Sequence, residues 1–280
     1  MPPRPPLQTL NLASPKRAVI GPAAFFAKVF LNVYCKRTRT LNEQRLFRTV
    51  LDRTDRPVIT VANHSSVLDD PGMWGILPWS ILLHKHRMRW SLGAKEICFG
   101  TPFTSWFFGS GQVIPTVRGD GVFQPAIDVA LAKLAHNGWI HIFPEGKVNQ
   151  LRDQLPYRWG VGRLILESPQ PPLVLPIWHR GFEAAMPEDA PDGRYYPRPG
   201  KELVVAVGEV MDFATNGVLE EANALGDEAK ARAFVTAFVR EKAIEAQRQA
   251  EKKIGEPDWW TTTGAVKAVN DDPPRQGDPS

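Results

Sequence analysis

Apolar and polar positions alternate along this chain in blocks of two lengths. Short apolar runs at 57–62, 111–117, 139–143, 173–178 and 203–210 have strand length and strand composition. Between them, apolar residues recur at helical spacing and predict helices at 41–52, 70–82, 121–137 and 157–167. A long amphipathic helix is expected over 227–254, where Phe234 and Phe238 sit four apart among Glu and Lys, with its charged second half as a solvated face. Strands separated by helices predict an α/β fold.

One further apolar stretch, 18–27 and its continuation over 29–35, stands before the first strand and holds Pro22, Lys28 and Asn32. A bilayer span needs about 20 apolar residues, so this segment is marginal for crossing and reads as an interfacial or re-entrant anchor. The run 72–83 and the aromatic set Phe99, Phe103, Trp106, Phe107 and Phe108 extend the same surface as a group, although each residue alone reads as ordinary core.

Composition narrows the class. A chain of 280 residues with 43% hydrophobic and 23% charged residues is globular, and one domain with extensions accommodates it. The expected division is a basic N-terminus and membrane-anchoring helix at 1–40, a main domain at 41–254 and a disordered tail at 255–280. The net charge is only +4, but the first 42 residues carry no Asp or Glu beside Arg4, Lys16, Arg17, Lys28, Lys36, Arg37 and Arg39. A second basic cluster runs from His84 to Arg89. Apolar sequence beside these charges favours an anionic membrane surface over nucleic acid. Cys35 and Cys98 make neither a disulfide framework nor a metal-type pair, and His84 and His86 give little support for a metal site, so none is expected.

The candidate chemistry follows the first strand. In Asn63-His64-Ser65-Ser66-Val67-Leu68-Asp69-Asp70-Pro71, a histidine and an aspartate five apart suit a general base and its orienting carboxylate. Asp70 is expected to cap a helix, with Pro71 at its first position. The chain has no Gly-x-Ser-x-Gly elbow; Gly109-Ser110-Gly111 has the wrong spacing, so the hydroxyl to be activated comes from the substrate. Arg118, between Gly111 and Gly119-Asp120-Gly121, has a fork suited to a phosphate. The run Phe143-Pro144-Glu145-Gly146-Lys147-Val148-Asn149 leaves another strand, and Pro176-Ile177-Trp178-His179 closes a third. Taken singly, Arg118 is a surface arginine, Glu145 a turn carboxylate and Gly146 a left-handed turn position.

Together these blocks resemble the glycerolipid acyltransferase family with its His-x4-Asp motif. The likeness is closer still to its branch of phospholipid–lysophospholipid transacylases that remodel cardiolipin. It covers roughly residues 57 to 190 and is most specific in the run from Phe143 to Asn149. The resemblance implies a mixed, mostly parallel sheet covered by helices, with the site at the strand ends. It implies His64 as general base on a lysolipid hydroxyl, Asp69 as its partner, Arg118 on substrate phosphate, Glu145 and Gly146 on the glycerol and headgroup, and Asn63, Lys147 and Asn149 in support. It implies no cofactor, with acyl-CoA as donor only for an acyl-CoA-dependent lysophospholipid (or 1-acylglycerol-3-phosphate) acyltransferase, the alternative reading. A non-catalytic membrane protein is a third reading, opposed by the intact His64, Asp69, Arg118 and Glu145. The implied partners are membrane phospholipids and lysophospholipids, monolysocardiolipin and cardiolipin among them. The implied location is a mitochondrial membrane facing the intermembrane space, with the endoplasmic reticulum as the other candidate. Pro2, Pro3, Pro5 and Pro6 break an import helix at its start.

Overall fold

The computed structural model describes residues 17–52, 55–84, 86–150, 155–188 and 196–255. The strands are β1 (Arg37–Leu41), β2 (Val58–Ala62), β3 (Trp90–Ala94), β4 (Val113–Thr116), β5 (Trp139–Ile142), β6 (Leu173–Arg180), β7 (Glu202–Val207) and β8 (Met211–Asp212). The helices are α1 (Arg17–Val29), α2 (Glu43–Asp52), α3 (Asp69–Met73), α4 (Trp79–Leu82), α5 (Lys95–Cys98), α6 (Pro102–Ser110), α7 (Pro125–Leu134), α8 (Gly160–Leu166), α9 (Phe182–Ala185), α10 (Val218–Ala224) and α11 (Glu228–Ile254).

The strands form one sheet in the order β1-β7-β6-β2-β5-β3-β4, with β8 on β6. Strands β2, β3, β4, β5 and β6 run parallel, while β7 and β8 run antiparallel to β6. The α/β fold with a mixed, mostly parallel, helix-covered sheet is thus as expected. Every residue of β2 is buried, as a central parallel strand requires. Its pleat sends Val58 and Ala62 into a core with Leu46, Trp74 and Leu77, and Ile59 and Val61 into a second core with Val161, Leu164, Val235 and Val239 on the other face. Because five strands share one direction, their carboxyl ends form a single rim, where ligand sites gather in such sheets.

Several expectations need correction. The helix expected at 70–82 is broken into α3, a 3-10 turn at Trp74–Ile76 and α4. Leu77, held extended (ψ 145°) by the following Pro78, ends the run. Asp70 caps nothing: α3 starts one residue earlier, at Asp69, and has no side-chain cap. Strand β1 straddles the expected boundary at residue 40 and pairs with β7. Before it, Ala24, Phe30 and Leu31 lie in the main core, so the described part of the expected anchor is built into the domain. The second half of α11 is not a free face either, since Ala246, Ala250 and Glu251 are buried. Residues 1–16 and the tail from 256 lie outside the described residues.

Candidate active site

The loop leaving β2 brings His64 against the first residue of α3. His64 Nδ1 lies 2.9 Å from Asp69 Oδ2, and the same oxygen accepts the backbone N–H groups of Ser65 at 2.6 Å and Ser66 at 2.8 Å. Asp69 is fully buried. A carboxylate fixed by two backbone donors takes its third hydrogen bond from the protonated Nδ1, which leaves Nε2 with a free lone pair. The His64 ring stacks on Phe143 with centroids 4.2 Å apart, and its side chain keeps 20% exposure. Reactants can therefore reach it.

The turn after β5 grips the backbone of His64 from both sides. Glu145 Oε1 accepts the His64 N–H at 3.3 Å, its Oε2 accepts Asn149 Nδ2 at 3.2 Å, and the Asn149 N–H donates to the His64 carbonyl at 2.6 Å. Burial pushes the Glu145 carboxyl up to about 7, against the hydrogen bonds from Asn149 and His64 that favour its charged form. Gly146 adopts φ +72° in the tight turn, where its N–H returns to the Phe143 carbonyl. A side chain there would also press on the Arg158 stem. Lys147 is exposed on the same turn.

Asn63 joins β2 to β6: its Nδ2 donates to the His179 carbonyl and its Oδ1 accepts the His179 N–H, both at 2.9 Å. Gln150 adds a tie, donating to the carbonyls of Ser65 at 2.9 Å and Met186 at 3.1 Å. Asp70 points the other way, into a buried pair with Arg89 at 2.9 Å, with Ser91 Oγ and Trp74 Nε1 also donating to it. Burial pushes this carboxyl up, but the guanidinium and the two donors outweigh burial and hold it below the usual carboxylate range. This is the physical reason Asp70 is unavailable as a cap.

The structure brings Asn63, His64, Asp69, Glu145, Gly146 and Asn149 together, but not Arg118. That residue follows β4, three strands from β2 and so roughly 14 Å along the rim. Its Nε faces Glu96 at 3.3 Å, both side chains about half-exposed. Sequence reasoning gave no role to His179, His141 or Gln150. His179, the last residue but one of β6, lies on the rim, 1% exposed, with Nε2 3.6 Å from Asp69 Oδ2. His141, hydrogen-bonded to Thr60 within the sheet, is pushed down to about 3 by burial and stays neutral. The signals for His179 were its place near the end of an apolar strand and its membership of the block Pro176-Ile177-Trp178-His179, to which no role was attached. A polar cleft of about 270 Å³ opens on the α11 side of the loop, lined by Asn63, Glu145, Asn149, Gln150, His179 and Arg180 among others.

Comparison with known proteins bears on the family and the fold. The acyltransferase family profile matches residues 33–180. Tafazzin of Drosophila melanogaster is 38% identical over 235 residues, which cover 84% of this chain and 61% of that protein. The chain therefore spans less than two thirds of that relative. The N-acylphosphatidylethanolamine synthase of Arabidopsis thaliana is 42% identical over 214 residues, 74% of each chain. Among solved structures, the 1-acyl-sn-glycerophosphate acyltransferase of Thermotoga maritima superposes with a TM-score of 0.56 at 19% identity, covering 82% of this chain and 81% of that one, a likeness of fold.

Proposed function

This chain belongs to the acyltransferase family, and from that premise we propose that it moves an acyl chain from a phospholipid to the hydroxyl of a lysophospholipid, without CoA. The likeness to tafazzin supports acyl transfer between phospholipids and a mitochondrial membrane as location; monolysocardiolipin as acceptor and the lack of a cofactor are part of the proposal. The observation that carries it is the 2.9 Å contact between His64 Nδ1 and a buried Asp69, on a histidine whose side chain keeps 20% exposure.

In this mechanism Nε2 takes the proton of the acceptor hydroxyl as its oxygen attacks the ester carbonyl of the donor. Asp69 stabilises the imidazolium that forms. When the tetrahedral intermediate collapses, the ester C–O bond to the donor glycerol breaks, and the departing alkoxide takes the proton back from His64. The proton is conserved and no protein nucleophile is acylated. Glu145 and Asn149 set the position of the His64 backbone, and Gly146 makes the turn that carries them. Arg118, farther along the rim, and Lys147, on the exposed turn, are assigned in this proposal to the phosphates of lipids lying across the rim.

The substrate arrives at an apolar surface. Phe25 (65% exposed), Val33 (77%), Phe103 (69%) and Trp106 (50%) stand on α1, the π-helical turn after it, and α6. These elements meet through an edge contact of Phe26 on Phe107. No helix among the described residues is long and apolar enough to cross a membrane. The exposed apolar face itself suits docking at an anionic lipid interface.

A second reading comes from the relative named N-acylphosphatidylethanolamine synthase, which this chain covers more fully than tafazzin: the same base then serves the amine of phosphatidylethanolamine. The test incubates the protein in liposomes with labelled phosphatidylcholine and either monolysocardiolipin or phosphatidylethanolamine, with and without acyl-CoA, beside His64→Ala. CoA-independent transfer to monolysocardiolipin, lost in the variant, is the expected result. N-acylated product would favour the second reading, and transfer only with acyl-CoA would reject both in favour of a CoA-dependent enzyme.

A further inference from the structure

We propose that His179 is a positioning residue of this site, its Nε2–H dipole directed at Asp69 and setting the balance of charge between Asp69 and His64. This rests on the reading of His64 as the general base.

His179 is held as tightly as the base it would serve. Its backbone N–H and carbonyl are both clamped by Asn63, at 2.9 Å each. Its ring stands edge-on to Phe182 at 5.1 Å, and the residue is 1% exposed. Neither ring nitrogen has a hydrogen-bond partner. Leaving a buried polar atom unpaired is costly, and ordinary cores avoid it. A leucine would serve packing alone. The distance from Nε2 to Asp69 Oδ2, 3.6 Å, is too long for a hydrogen bond but short for a charge and a dipole.

The tautomer follows from electrostatics. A lone pair on Nε2 would face the carboxylate and be repelled, whereas an N–H there is attracted, so the proton resides on Nε2. Other ionisable groups share its surroundings: Glu145, Arg180, Glu183 and Glu251 line the same cleft, and His141 lies within electrostatic reach in the sheet. Among the described residues, only Asp69 comes within ion-pair range of it.

Asp69 therefore sits between two imidazoles. His64 donates to Oδ2 directly, and His179 spreads part of the same negative charge from the other side. Spreading that charge keeps Asp69 ionised while limiting how strongly it holds a proton on His64. Replacing the dipole by an apolar side chain concentrates the charge on the His64 bond, which favours imidazolium. Transfer needs neutral His64, so the acidic limb of the rate profile must then move to higher pH.

The experiment measures acyl transfer by the full chain in liposomes from pH 5 to 9, for the wild type, His179→Leu, His179→Gln and His64→Ala. The leucine variant is expected to shift the acidic limb upward by roughly half a pH unit, a roughly threefold loss of rate below the midpoint. Glutamine, whose amide N–H reaches the place of Nε2, is expected to restore the wild-type limb. A leucine limb that coincides with the wild type, or a glutamine variant no nearer the wild type than leucine, would overturn the proposal. His64→Ala separates the two levels: wild-type transfer in that variant would overturn the base assignment itself. Should leucine fail to fold, nitrogen-15 histidine spectra of the wild type decide alone, with a proton on Nε2 of His179 expected and a proton on Nδ1 contradicting it.

Discussion

A single oxygen, Asp69 Oδ2, takes hydrogen bonds from Ser65 N, Ser66 N and His64 Nδ1 within 2.9 Å. An amide carbonyl in its place can still accept them but brings no charge to meet an imidazolium. Asp69→Asn should therefore fold and lose at least about 100-fold in acyl transfer. Initial rates set beside a thermal melt check this, and wild-type turnover in a folded variant would contradict it. Glu145 makes a different prediction. Its carboxyl lies at about 7 in the fold, above its ordinary 4.5, so the folded chain binds this proton more tightly than the unfolded one. That contribution is present below pH 4.5 and lost as pH rises through about 7, by at most on the order of 3 kcal/mol. Glu145→Gln removes the titration and keeps an acceptor for the His64 N–H. Urea unfolding between pH 4.5 and 8 should show the wild type losing stability relative to this variant, and parallel curves would reject it. The spacing of His64 and Asp69 was legible in the sequence because five residues suffice to turn a strand into a helix. Asp70 was not, because a carboxylate before a proline looks alike whether it caps a helix or meets Arg89, just ahead of a strand and 19 residues on.

The legible elements are those whose burial is uniform. All of β2 is buried, so its apolar run announced it. Strand β1 has the sequence Arg-Thr-Arg-Thr-Leu and occupies a sheet edge, where half-exposed charges are normal and hide the strand. The helix expected at 70–82 failed because its apolar pattern ignores Pro78, which holds Leu77 extended, and the same pattern is blind to how closely another backbone approaches. A Cβ on Gly75 would lie 2.3 Å from the Ala27 carbonyl oxygen and 2.8 Å from Leu31 Cδ1. Gly75→Ala must then push α1 off the 3-10 turn, at a cost of about 1–3 kcal/mol. Gly109→Ala, whose added methyl meets nothing within 4 Å, is the matched control and should unfold no earlier than the wild type. Equal urea midpoints for the two variants would show that the approach at Gly75 is not tight.

At the scale of the molecule, the same α1 serves two masters, and this decides how membrane docking can be tested. Its Ala24 and Ala27 are buried on the body, while Phe25 faces outward beside Val33, Phe103 and Trp106. Deleting residues 1–40 would remove β1 residues and core side chains with the outward face, and so would measure folding. Changing outward side chains alone leaves the core intact. Phe25→Ser with Phe103→Ser and Trp106→Ser should keep the melting temperature and lower recovery with anionic liposomes. If each aromatic contributes on the order of 1 kcal/mol at the interface, the three together change partitioning by about 100-fold or more. Transfer to acceptors in liposomes should fall with recovery, while transfer between detergent-dispersed lipids should persist, because His64, Asp69 and Glu145 are untouched. Unchanged flotation in low salt would place the lipid-facing surface elsewhere. Loss of activity in detergent as well would mean that these aromatics act at the site rather than at the membrane.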